Sequence, residues 1–84
     1  MKHEDNSLMT PLGIVSGEVL LFIEKNGKTT LRNLIHELPW PATLIVMGVG
    51  VLIRNGLIQG VQQELEVILE MSSQPSEAGL ASLV

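Results

Sequence analysis

The chain contains no cysteine, and its only aromatic side chains are Phe22 and Trp40. The first absence excludes a disulfide framework, a thiolate zinc site and a thiol nucleophile. The second leaves Leu, Ile and Val to build the core of an 84-residue chain, which is one small domain at most. Cations are scarce too: five Lys and Arg stand against nine Asp and Glu, a net charge of −4. Phosphate binding rests on Lys and Arg, so this balance argues against a polyanion as main partner unless a local basic patch overrides it. The amino-terminal "MKHEDNSLMT" has acidic residues where a signal peptide needs an apolar run, which makes the cytoplasm the expected location. A long apolar run is missing as well. Leu38–Ile53 carries no charge, but it falls short of the about 20 residues that cross a bilayer, is interrupted by Pro39 and Pro41, and ends at Arg54. No membrane partner is expected.

Chemistry-bearing constellations are equally sparse. Ser7, Ser16 and the serines near the carboxy-terminal end have no paired His and acid at a suggestive spacing, and "GVGV" lacks the third glycine of a dinucleotide site. His36 reads as a surface histidine. His3, third from the start, fits a square-planar Cu²⁺ or Ni²⁺ motif, and the final "ASLV" resembles ligands of carboxylate-binding grooves. Both matches are short enough to arise by chance. The expectation is a protein that is not an enzyme and uses no metal or cofactor.

The residues present divide the chain into a loose amino-terminal segment (1–9), an ordered domain (10–71) and a loose tail (72–84) rich in Ser, Gly, Ala and Pro. Thr10-Pro11 predicts a helix start, with Thr as cap. Val15, Val19, Leu20 and Ile23 follow at helical spacing, and Asn26-Gly27 closes the segment. In "TTLRNLIHEL", Thr29 or Thr30 can cap a second helix that turns Leu31, Leu34, Ile35 and Leu38 inward. The run after "PWP" admits a membrane span, a buried strand or a helix. Its length, and Pro41 at a first turn, favour a helix from about Pro41 to Asn55 with Ile45, Val49 and Leu52 inward and Ile53 beside them. Beyond Gly56 the period changes to two: Leu65, Val67 and Leu69 alternate with Glu64, Glu66, Ile68 and Glu70. That predicts a strand paired with Leu57–Val61 through a turn near Gln62-Gln63.

Together, "VLLFIEKNGKTTLRNLIHEL" and "IVMGVGVLIRNGLI" resemble a winged helix-turn-helix domain, and the compact form is similar to small bacterial winged-helix proteins. The resemblance rests on Asn26-Gly27, Thr29-Thr30, Leu52–Ile58 and the hairpin Leu57–Leu69. It implies a mainly α fold of three helices and a two- or three-stranded wing, with a third short strand near Lys28-Thr29. Function is left open between DNA readers and protein-docking modules.

In that family the third helix enters the major groove and the wing touches phosphates. Here the outward positions of the third helix are Ala42, Thr43, Val46, Met47, Gly50 and Arg54, and among the groove-entering ones only Thr43 can hydrogen-bond to a base. The wing offers Gln59, Gln62 and Gln63 but no Lys or Arg. The preferred expectation is a regulatory or adaptor module that self-associates or docks a protein through Ala42, Val46, Met47 and Gly50, with Gly48 also open to close approach from a partner or from inside the domain. The rival is weak, salt-dependent duplex binding by a dimer through Lys25, Lys28, Arg32, Thr43 and Arg54. Leu21 and Phe22 form a second apolar patch.

Overall fold

The computed structural model describes residues 9–72, and three helices and a three-stranded antiparallel sheet account for most of them. Helix α1 spans Met9–Asn26, strand β1 Thr29–Thr30, helix α2 Leu31–Glu37, helix α3 Ala42–Arg54, and strands β2 and β3 Ile58–Gln63 and Glu66–Met71. The sheet order is β1-β3-β2, so the last strand lies in the middle. The layout is compatible with the winged-helix expectation. None of the helices in the described residues is long and apolar enough to cross a membrane.

Local chemistry sets most boundaries. Thr30, in an extended conformation, caps α2 by accepting a hydrogen bond from the Asn33 N–H at 3.0 Å, and Thr29 accepts one from the Asn33 amide. Gly27 and Gly56, at φ 84° and 76°, stop α1 and α3 in the left-handed conformation that glycine adopts without a Cβ clash. Pro41 stands immediately before α3, where its missing N–H costs nothing. Thr10 departs from expectation. It lies inside α1, which already runs at Met9, and Pro11 still falls in the first turn, where no intrahelical donor is needed.

One aliphatic core joins the layers: Val15, Val19 and Ile23 of α1, Leu34 of α2, Ile45, Val49 and Leu52 of α3, and Ile58 and Leu69 of the sheet. The expected inward faces of α2 and α3 are those observed, except for Ile53, which is 41% exposed because it points past the core toward the open side of β2. Phe22 packs half-buried against the core, and Leu21 faces solvent. Helices α1 and α3 meet at Gly48. A Cβ there would sit 3.2 Å from the Ser16 Oγ, so of the open uses for Gly48 the one realised is close packing inside the domain. Ser16 is buried, and its hydroxyl has no hydrogen-bond partner among the described residues. Trp40 ties the loop before α3 back to α1 by donating its indole N–H to Glu18 at 2.9 Å.

The hairpin turn lies two residues beyond the expected position, which shifts every cross-strand partner by four. Its turn is Glu64-Leu65, closed by Gln63 opposite Glu66, rather than Gln62-Gln63. A shift by an even number leaves every side chain on its expected face, so alternation alone cannot choose between the registers. Space decides it. Gly60 lies opposite Leu69, where a Cβ would come 3.1 Å from the leucine Cδ2, so the glycine accommodates the fully buried side chain of the central strand. Leu65, expected inside the strand, is instead at the tip of the hairpin and 90% exposed. Glu64 beside it has φ 57°, a left-handed value that suits Gly or Asn better than Glu. The third strand forms at Thr29–Thr30, one residue beyond the position expected.

Candidate functional site

Helix α3 is apolar around almost its whole circumference: between Ala42 and Ile53 only Thr43 is polar. A helix apolar on all sides is normally buried on all sides. This one buries Ile45, Gly48, Val49 and Leu52 and presents Val46, Met47, Gly50 and Val51 to solvent, with Val46 46% and Met47 40% exposed. The expected outward positions Ala42, Thr43, Val46, Met47, Gly50 and Arg54 are all exposed. No atom of a neighbouring element lies within 4 Å of where a Cβ on Gly50 would be, so a partner can approach the backbone closely there. Toward the carboxy-terminal end the surface deepens into an open groove lined by Leu12, Met47, Gly50, Val51, Arg54 and Asn55, with α1 forming its far wall.

The cations proposed for phosphate contact do not form one patch. Arg32 pairs with Glu66 at 3.0 Å, and Lys28 lies 3.9 Å from Glu70, whose other oxygen accepts the Gln59 amide. Both acids come from β3, so the central strand of the sheet neutralises two of the five candidate residues. Lys25 borders Leu21 and Glu24 on α1, and Arg54 borders the α3 groove. Thr43 and Arg54 sit at opposite ends of α3, about 17 Å apart along its axis. The hairpin contributes Glu64, Glu66 and Glu70 and no cation.

Two features of the surface went unnoticed in the sequence. Leu65 joins Leu31, Arg32, Ile35, Glu66 and Val67 around a shallow depression between α2 and the hairpin tip. The free edge of β2 is the other. His36 is exposed, and among the described residues no cluster of His, Asp and Glu can hold a metal ion. The His3 motif and the terminal "ASLV" lie outside the described residues. No family model matches this chain, and no curated protein or solved structure is similar enough to carry an argument about it.

Proposed function

We propose that the chain is a non-catalytic regulatory or adaptor module of winged-helix type, acting by self-association or protein docking through the outer face of α3. The observation that carries this reading is the helix itself, apolar on a face that the rest of the described domain leaves in water. Exposed apolar area of this kind marks an interaction surface. Met47 can adapt its shape to a partner, and Gly50 admits a close backbone. DNA binding remains the rival because Lys25, Thr43 and Arg54 are exposed. It is disfavoured because Lys28 and Arg32 are already paired with acids.

An amide-resolved NMR titration with mixed-sequence duplex DNA, at low and then moderate salt, separates the two readings. The docking reading expects no shifts at Lys25, Lys28, Arg32 and Thr43. Shifts there that fade with salt overturn it. It also expects association or partner capture to perturb the amides of Val46, Met47 and Gly50 and to be lost in Val46→Asp. Binding that survives Val46→Asp assigns the activity to another surface.

A further inference from the structure

The open edge of the sheet carries an inference that does not rest on the α3 reading. Among the described residues, strand β2 is bonded on one side only, to β3. Leu57 lies on the same register one step beyond Ile58, and its carbonyl accepts the Ser72 N–H at 3.1 Å. Bonded and non-bonded positions alternate along an antiparallel pair. The main-chain groups of Gln59, Val61 and Gln63 therefore point toward β3, and those of Ile58, Gly60 and Gln62 point outward. Among the described residues nothing covers them, and Gln59–Gln63 are all exposed.

Exposed edges are ordinarily blunted by a charge, a proline or a bulge. Strand β2, "IQGVQQ", has no charged residue and no proline, and its pairing with β3 runs without a bulge. Each flank of the edge carries an exposed apolar side chain among its glutamines. On the helix side, the exposed Ile53 brings its Cδ1 to 3.3 Å from where a Gly60 Cβ would be, and on the outer side Val61 is half exposed. An incoming strand finds backbone donors and acceptors together with apolar contact on each side of the sheet.

We infer that the occupant is β2 of a second copy of this chain, paired antiparallel about a two-fold axis at Gly60. The charge distribution favours this partner. The strand is uncharged from Ile58 to Gln63, so a second copy meets no like charge along it. An antiparallel copy sets Glu64 at the hairpin end, in no ion pair among the described residues, against the other's uncharged Asn55–Ile58 end, which follows Arg54 in the chain. An interface about a two-fold must complement itself, and this edge does. With Gly60 on the axis, Ile58 lies opposite Gln62 of the second copy, and every outward-pointing residue finds an outward-pointing one. The two Ile53 side chains meet over the paired glycines, on the face where neither strand has a Cβ at that position. The product is one continuous six-stranded sheet with both α3 helices on the same side.

The test is sedimentation velocity on the full chain across a concentration series, together with amide hydrogen exchange. The expected result is a reversible dimer whose Ile58, Gly60 and Gln62 amides become roughly tenfold or more better protected as concentration rises. Gln62→Pro removes an outward N–H without breaking the bond ladder to β3, and is expected to weaken the dimer by about tenfold or more. Val46→Asp is expected to leave the dimer in place. A chain that stays monomeric throughout, or a dimer whose three outward amides exchange freely, overturns the inference. The exchange measurement uses the unaltered protein, so it decides between these outcomes even if Gln62→Pro fails to fold. Loss of the dimer in Val46→Asp with Gln62→Pro unaffected assigns it to α3 and likewise overturns the β2 pairing.

Discussion

The two edges of the sheet are finished in opposite ways. At the β1 edge the strand is only Thr29–Thr30, and α2 follows at once. Lys28 and Arg32 reach across to Glu70 and Glu66, so main chain, helix and charge all close that side. At the β2 edge the strand is six residues long, uncharged and backed by exposed Ile53 and Val61. A short, charged edge that runs straight into a helix resists pairing with another chain, and a long neutral one invites it. Both edges depend on β3, the one strand bonded on both sides.

That shared dependence gives the largest expected effect. By the alternation along β3, the Ile68 N–H points to Val61, so Ile68→Pro removes a ladder bond from the central strand. The expected loss is about 3 kcal/mol or more, close to the whole stability of so small a domain. Gln62→Pro, two residues from the hairpin tip on the open edge, is expected to cost about 1 kcal/mol or less. Denaturant melts of the two variants, at a concentration where the chain is monomeric, measure the contrast. Equal losses would show that the outward positions of β2 are assigned to the wrong parity.

A smaller effect is expected where α2 closes the other edge. Thr30 both ends β1 and caps the helix, and Thr30→Ala leaves the Asn33 N–H without its acceptor. The expected cost is about 1 kcal/mol. Hydrogen exchange should place the loosening in α2 and at Leu69, which pairs with Thr29, and spare the β2–β3 ladder. A uniform rise in exchange over the whole sheet would contradict the view that the two edges are finished independently.

How far these features could be read from the sequence depended on the range of the forces involved. Leu31, Leu34, Ile35 and Leu38 lie on one helical face, and Ile45, Val49 and Leu52 on another, because side-chain spacing alone dictates those faces. Thr30, Gly27 and Gly56 act within a turn of themselves and were equally legible. The hairpin register was not, because the two candidate pairings bury the same faces. Only the fit of Leu69 over Gly60, two strands meeting in space, distinguishes them. The exposure of Leu65 was hidden with it, while the position of Ile53 and the ion pairs of Lys28 and Arg32 depend on how α3 meets β2 and β1 meets β3, contacts equally beyond local spacing. The six outward positions expected on α3 are exposed, and Val51 and Ile53 join them. The cations looked like a basic patch because the glutamates that hold them are more than thirty residues further along the chain.

Those glutamates supply the finest test of the comparison. Lys28–Glu70 and Arg32–Glu66 are well exposed, so each contributes about 0.5 kcal/mol or less in physiological salt. Glu66→Gln with Glu70→Gln is therefore expected to leave the melting curve almost unchanged. Its electrostatic effect is larger, since it removes two negative charges and releases two cations on the same side of the molecule. If acid pairing is what withholds this surface from phosphate, the unaltered chain ignores duplex DNA at low salt. The double variant binds it weakly, with shifts at Lys25, Lys28 and Arg32 that vanish as salt rises. A double variant as inert as its parent would mean that too few cations face one way for any phosphate contact. A parent that already binds would mean that the ion pairs yield to DNA, and the β1 edge would then be the working surface of the protein.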